Sequence, residues 1–183
     1  MDDGGDLRDR SVTVLYSEPE IARRIRDLAH EIAADMGPDV LLAAVLKGSF
    51  VFAADLIRAL HFAGMKPQID FMTLSSYGTG TRSRGRVTLA RDIADDVAGR
   101  RVLLVDDILE SGRTIAFARQ VLLDRGAETV RLCVLLDKPG KRKTEIEADF
   151  VGFTCPDRFV VGYGLDYAHY FRELPFIGHV QEA

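Results

Sequence analysis

The run RRVLLVDDILESGRTIAFARQVL, residues 100–122, carries the densest set of groups able to do chemistry. An apolar stretch, Val102–Val105, ends in two acids, Asp106 and Asp107, and Glu110-Ser111-Gly112-Arg113-Thr114 then opens a helical pattern. Backbone N–H groups at a helix start point at an anion. Gly112 has no Cβ and lets a phosphate come close. Ser111 and Thr114 add hydroxyl donors, and Arg113 adds a charge. Asp106 and Asp107 would repel a phosphate and instead suit sugar hydroxyls or a hydrated Mg²⁺. A phosphate cradle beside a diol and metal site describes a ribose phosphate. From spacing alone, the two acids are explained equally well as a solvated strand end capping the next helix. The familiar nucleotide loops are absent: there is no GxxxxGK[ST], and Gly78-Thr79-Gly80 lacks a third glycine and opens no helix.

The elements that must position these groups alternate along the chain. Ser17 and Glu20 have capping-box spacing, Ile21, Ile25, Leu28 and Ile32 recur at helical spacing, and Gly37-Pro38 stops the helix. Val40–Leu46 is an apolar run of strand length, and Lys47-Gly48-Ser49 turns the chain into a helix over Phe50–Phe62. Gln68–Leu74 alternates as a strand, and Ser75–Gly85 reads as a polar, Gly-rich loop. Val102–Val105 is a buried strand, followed by Asp106-Asp107 and a loop. Thr114–Arg125 reads as a helix and Thr129–Leu136 as a strand, with short strands and turns from Ala148 onward. Apolar strands alternating with helices imply an α/β fold whose parallel sheet is covered on both faces. Ligands of such sheets bind outside the carboxyl ends of the strands, which here means Lys47-Gly48, Asp106 to Thr114, and Asp137-Lys138.

The 183 residues fit one domain, read as a tail over 1–10 and a single domain over 11–183. Apolar residues are 47% and charged residues 28%, with 24 basic and 28 acidic side chains and a net charge of −4. An acidic chain is a poor nucleic-acid binder. No apolar run reaches membrane-spanning length, and MDDGGDLRDR is the opposite of a secretory leader. Cys133 and Cys155 read as reduced cytoplasmic thiols. His30, His61, His169 and His179 lack metal-ligand spacing.

The acids, Ser-Gly and Thr after a buried strand resemble the phosphoribosyl-pyrophosphate signature of the type I phosphoribosyltransferases. The resemblance extends over residues 12–180 and narrows to the hypoxanthine-guanine branch through LKGSFVFAADL, Ser75-Ser76-Tyr77, LLDKPGKR and DFVGFTCPDRFVVGYGLDYAHYFRELP. It implies the type I fold: a mostly parallel sheet flanked by helices, a small purine-binding hood and a mobile lid loop. It implies Mg²⁺-dependent transfer from phosphoribosyl pyrophosphate to a 6-oxopurine, through a transition state resembling an oxocarbenium ion. It further implies a homodimer or homotetramer with no nucleic-acid or membrane partner.

Carried over residue by residue, the resemblance assigns Asp106, Asp107, Ser111, Gly112, Arg113 and Thr114 to the ribose 5′-phosphate, and Lys47, Gly48 and Arg172 to pyrophosphate. Lys138 falls where the family's lysine meets the purine 6-oxo group; an ammonium offers only donors and disfavours a 6-amino group. Phe159 stacks on the base and Val160 reads it through its backbone; as sequence alone, Phe-Val-Val is a core strand. Asp166, with Asp106 and Asp107, belongs to the metal sites, and by itself would pass with Arg172 for a surface ion pair. Ser76 and Tyr77 belong to the lid. The resemblance also implies that the Lys47-Gly48 peptide is cis.

The chain departs from the family at two positions. Glu110 stands where an Asp takes the proton from the purine ring nitrogen, and Asp106 stands where Glu is common. General-base work needs reach of about 2.6–3.2 Å, so the extra methylene of Glu110 matters. Glu110 is expected to act as the base from an adjusted loop; the alternatives are that it only positions the nucleotide or that activity is lowered. The alternative from another class is a regulatory protein that senses phosphoribosyl pyrophosphate. Such a protein needs a basic face or an added segment, and Arg82–Arg86 offers the sole hint of one. Xanthine in place of hypoxanthine or guanine is not decided by these residues.

Overall fold

The computed structural model describes residues 10–77 and 86–181. Strands and helices follow in the order β1 (Val12–Tyr16), α1 (Glu18–Met36), β2 (Leu41–Leu46), α2 (Phe50–Phe62), β3 (Gln68–Tyr77), β4 (Arg86–Arg91), β5 (Arg101–Leu109), α3 (Arg113–Asp124), β6 (Thr129–Asp137), β7 (Phe150–Thr154), β8 (Val160–Val161) and β9 (Ile177–Val180). A six-stranded sheet has the order β4-β3-β2-β5-β6-β7, and a separate three-stranded sheet has the order β1-β9-β8. In the larger sheet every pairing is parallel except β3 with β4.

The uninterrupted apolar runs of β2 and β5 are central strands with both faces covered. Leu42 and Ala44 of β2, with Leu103 and Val105 of β5, pack under α1 and α2 against Ile21, Leu28, Phe52 and Leu56. Leu41, Ala43, Val102 and Leu104 face the other way, toward Ile115, Ala118 and Leu122 of α3. This two-sided packing is why these strands do not alternate polar with apolar. Helix α1 begins as its spacing predicts: the Glu20 carboxylate accepts the Ser17 N–H at 2.8 Å.

Two expectations change. First, β5 does not stop at Val105. It runs through Asp106 and Asp107 to Leu109, with Asp106 level with Val134 and Ile108 level with Leu136 of β6. The acids therefore lie within the strand rather than just past its end. Second, Ser75, Ser76 and Tyr77 extend β3 and pair with β4. A polar stretch can be a strand at a sheet edge, and here the Ser75 and Thr88 hydroxyls hydrogen-bond across the pair at 2.9 Å. The remainder of the predicted loop, 78–85, lies outside the described residues, as does the tail over 1–9. A pairing that the sequence pattern did not mark is that of β1 antiparallel with β9, so segments near the two ends build the small sheet together, with Val12 opposite Val180. Such a separation along the chain hides the pairing from any local reading.

Strand β2 leads through α2 to β3 on one side, while β5 leads through α3 to β6 on the other. Between β2 and β5 the chain thus reverses direction across the sheet, and the two loops diverge to open a crevice.

Candidate active site

Two adjoining cavities occupy that crevice. One of about 330 Å³ is walled by Lys47, Gly48, Asp106, Asp107, Glu110, Ser111, Gly112 and Thr114, among others. The other, about 460 Å³, shares Lys47, Gly48, Asp107 and Glu110 and adds Lys138, Phe159, Val160, Asp166 and Arg172. The structure thus gathers nearly all the sequence-predicted residues around one crevice. Arg113 is the exception: it opens α3 with its side chain exposed and lines neither cavity. Ser76 and Tyr77 lie at the end of β3, beyond the level at which Thr73 pairs with Leu46.

The first cavity is built by β5 and the start of α3. Gly112 holds φ +81°, a left-handed conformation, and a Cβ there would fall 2.6 Å from Ile146 Cγ2. Glycine is therefore required on both counts. It leaves the first N–H groups of α3 open to the cavity. The Ser111 hydroxyl accepts weakly from the Arg113 N–H at 3.4 Å.

Asp106 is only 7% exposed. Burial, then the adjacent Asp107 carboxylate, pushes its carboxyl well above the usual range. Burial also raises Asp107, with the Asp106 hydrogen bond and the Arg172 guanidinium opposing. Asp106 accepts the Asp107 N–H at 2.9 Å and Asp107 accepts the Ile108 N–H at 2.8 Å. These bonds orient the acids without neutralising them. Two adjacent carboxyls with raised pKa values, Asp106 buried and Asp107 half-buried, form a point that a cation or sugar hydroxyls would relieve.

Gly48 meets Asp107 from the turn after β2. A Cβ on Gly48 would lie 1.6 Å from Asp107 Oδ2, so any side chain there would force the carboxylate to move. Buried Ser49 closes the turn, its hydroxyl donating to the Val45 carbonyl at 2.5 Å. The cis peptide of this loop is Leu46-Lys47, not Lys47-Gly48 as expected; the Gly48 peptide follows it.

The second cavity draws on distant segments. Lys138 is 6% exposed, and its Nζ donates to the Arg158 carbonyl at 2.6 Å and stands 3.6 Å from Glu110 Oε1. It is not the solvated loop lysine that its neighbours Lys141 and Lys143 would imply. Phe159, read locally as a core residue, is 59% exposed beside the cavity, edge-on to Tyr167 at 5.2 Å between centroids. Val160 and Val161 behind it are the buried pair. Arg172 pairs with Asp166 at 2.7 Å and donates to the Gly164 carbonyl at 2.6 Å. Asp166 also accepts the His169 N–H at 2.8 Å. The pair is partly buried, unlike a surface ion pair, and it holds the hood turn against Gly48: a Cβ on Gly164 would lie 2.3 Å from the Gly48 carbonyl oxygen.

Two contributors escaped sequence reading. Arg142 donates to the Leu109 and Glu110 carbonyls at 3.0 and 2.9 Å and pairs with Asp137. Tyr163, with φ +52°, donates its hydroxyl to Asp55 and ties the hood turn to α2. Neither carries a local signal, because each acts on a segment far along the chain.

The geometry can be compared with known proteins. The phosphoribosyl transferase domain model matches residues 11–168. The chain is 42% identical over 173 residues to the hypoxanthine phosphoribosyltransferase of Escherichia coli (strain K12), covering 93% of this chain and 96% of that one. A solved hypoxanthine phosphoribosyltransferase from Staphylococcus aureus superposes with a TM-score of 0.87 at 38% identity, covering 95% of this chain and 93% of that one. A hypoxanthine-guanine phosphoribosyltransferase from Bacillus anthracis superposes with a TM-score of 0.87 at 42% identity, covering 93% and 100%. The fold, the crevice at the reversal of the sheet and these likenesses agree, and the chain belongs to the phosphoribosyltransferase family.

Proposed function

We propose that the chain transfers the phosphoribosyl group of 5-phosphoribosyl 1-pyrophosphate to hypoxanthine, giving IMP and pyrophosphate in purine salvage, with Mg²⁺ as cofactor and the whole activity in one domain over 11–183. The observation that carries this reading is the junction of the two cavities. A phosphate cradle and an acid pair lie on one side, a lysine and an exposed aromatic ring lie on the other, and Glu110 borders both.

In this reading the 5′-phosphate rests on the N–H groups of Ser111 to Thr114, with the Arg113 charge adding attraction from the rim. Asp106 and Asp107 hold the ribose hydroxyls. Lys47, the Gly48 peptide and Arg172 receive pyrophosphate. Phe159 stacks on the base, Val160 meets its edge through the backbone, and Lys138 donates to the 6-oxo oxygen. As the bond from the anomeric carbon to pyrophosphate breaks and the bond to the purine ring nitrogen forms, Glu110 takes the proton that nitrogen loses. Ser76 and Tyr77 shield the activated sugar from water.

The donor set fits a hard divalent cation. Asp106 and Asp107 take part in no ion pair among the described residues, whereas Asp166 is already engaged by Arg172 and His169 and fits a metal only through water. No cluster of three or more metal-ligating side chains occurs among the described residues, so the substrate's oxygens would complete the shell. When bound, Mg²⁺ supplies charge neutralisation for the diphosphate.

Guanine as a second base is supported by the Bacillus anthracis relative, which is named for both. A cytoplasmic setting is supported by two free, buried cysteines whose thiols burial pushes up, and no helix is long and apolar enough to cross a membrane among the described residues. A homodimer or homotetramer is supported by Phe50 and Phe62 of α2, both exposed.

The test is nucleotide formation from phosphoribosyl pyrophosphate, Mg²⁺ and each of hypoxanthine, guanine, xanthine and adenine. Turnover of hypoxanthine, lost with EDTA and reduced about 10²–10⁴-fold in Glu110→Gln, is expected. Binding of phosphoribosyl pyrophosphate with no turnover of any base would overturn the reading in favour of a sensor.

A further inference from the structure

We propose that Arg142 is a positioning residue that fixes the main chain of Glu110, with Asp137 as its counter-charge. This deepens the role of Glu110 given above and rests on it.

Strand β5 ends at Leu109, so the Glu110 main chain has left the ladder just where its carboxylate must be placed. Arg142 extends the hold on this main chain past the end of the ladder. Its Nη1 donates to the Leu109 carbonyl at 3.0 Å and to the Glu110 carbonyl at 2.9 Å. One nitrogen with two hydrogens thus spans two consecutive carbonyls. Its Nη2 faces the Asp137 carboxylate at the end of β6. The Lys138 N–H adds a second bond to the Leu109 carbonyl at 2.9 Å. Both side chains of the Arg142–Asp137 pair are about four-fifths buried, unlike an exposed pair held loosely in water.

Fixing two successive peptide planes fixes the Cα–Cβ direction of the residue they share. Glu110 has one more methylene than Asp and its side chain is 45% exposed, so its carboxylate sweeps a wider arc from any given Cα. Holding the main chain narrows that arc. The fork of a guanidinium suits this work; an ammonium is a single point of donation. The cradle has its own anchor in the Lys143 N–H on the Ser111 carbonyl at 2.9 Å, and the Arg142 Cδ that packs beside Gly112 has a counterpart in Arg142→Gln. Loss of the fork should therefore fall on proton transfer more than on phosphate binding.

The experiment measures kcat with hypoxanthine, phosphoribosyl-pyrophosphate affinity by calorimetry, and Tm, for the full chain with Mg²⁺ and its Arg142→Gln, Arg142→Lys and Glu110→Gln variants and the Arg142→Gln/Glu110→Gln double variant. Arg142→Gln should lower kcat about 10–100-fold, on the scale of a misplacement of about 1 Å, and leave phosphoribosyl-pyrophosphate affinity within about twofold. Arg142→Lys should recover part of the loss. The double variant should be no slower than Glu110→Gln alone, because both act through one carboxylate. Wild-type kcat in Arg142→Gln, an equal loss of phosphoribosyl-pyrophosphate affinity, or multiplied losses in the double variant would each overturn the role. Should Arg142→Gln fail to fold, Asp137→Asn keeps an acceptor for Nη2 and should lower kcat about two- to fivefold at unchanged Tm. A folded Asp137→Asn protein with wild-type kcat then overturns the role. Wild-type protein inactive with every base would sink the proposed function itself, whereas active wild type with unaffected Arg142 variants sinks only this inference.

Discussion

The two sides of the crevice are built in opposite ways. The side proposed to take the phosphate and diol comes from one unbroken segment, Asp106 to Thr114, on a central strand and the helix that follows it. The base side is collected from the end of β6, the turn at Arg158–Val160 and the hood turn through Asp166 and Arg172. Contiguous placement makes the first side rigid by local geometry: strand ladder, left-handed glycine, helix start. The second side depends on contacts between segments, such as Lys138 on the Arg158 carbonyl and Gly164 against Gly48. A site divided in this way can keep the sugar-phosphate half constant while the base half varies, since little in one dictates the other.

The strongest challenge to that division comes where the halves touch. Gly48→Ala places a methyl 1.6 Å from Asp107 Oδ2 and moves both walls at once. Its kcat/KM should fall about 10²-fold or more for either substrate, as steady-state kinetics would show. A loss confined to one substrate would mean the halves are more independent than the contact implies.

Lys138→Gln sharpens the contrast from the base side. It removes a buried ammonium donor and should cut kcat/KM for hypoxanthine about 10–100-fold, while calorimetry finds phosphoribosyl-pyrophosphate affinity little changed. Because an amide can also accept, discrimination against adenine should narrow. A smaller loss belongs to Phe159→Ala. Its exposed ring should contribute through stacking, so KM for hypoxanthine should rise about 5–10-fold with kcat nearly constant. Equal loss with Phe159→Trp would count against stacking.

The smallest effect concerns stability on the phosphate side. Asp106 has a raised carboxyl pKa, so its burial opposes folding once the unfolded chain's carboxyl ionises. The metal-free protein should lose stability as pH rises from about 4 through the interval up to the raised value. Asp106→Asn should remove that contribution and raise Tm at pH 7 by a few degrees, roughly 2–4 °C per kcal/mol, while lowering activity. Calorimetric scans without and with Mg²⁺ test this, since Mg²⁺ should stabilise only the wild type appreciably. A fall in Tm for the variant would show that the pair is satisfied by bonds within the protein.

Much of the phosphate side was legible because its information is local. Val102–Val105, the paired acids and Ser111-Gly112 lie within a dozen residues, and β2, α1, α2 and α3 follow from apolar period and glycine stops. The extent of β5 was not legible, since carboxylates rarely continue a buried strand and only pairing with β6 keeps them there. Ser75–Tyr77 misled for the converse reason: composition marks a loop, yet past Thr73 β3 runs on beside the edge strand β4 alone, where the Ser75 hydroxyl pairs with that of Thr88.

What the sequence determined by itself was the chemistry available and the order of elements, because residue type and periodicity are properties of neighbours along the chain. Only the tertiary structure decided that Gly48 abuts Asp107, that Phe159 faces outward while Val160 is buried, that β1 closes the hood beside β9, and that Arg142 grips the Glu110 main chain. Each of these is a contact between segments far apart in sequence. Its existence depends on how the sheet twists and packs, and no run of neighbouring residues encodes it.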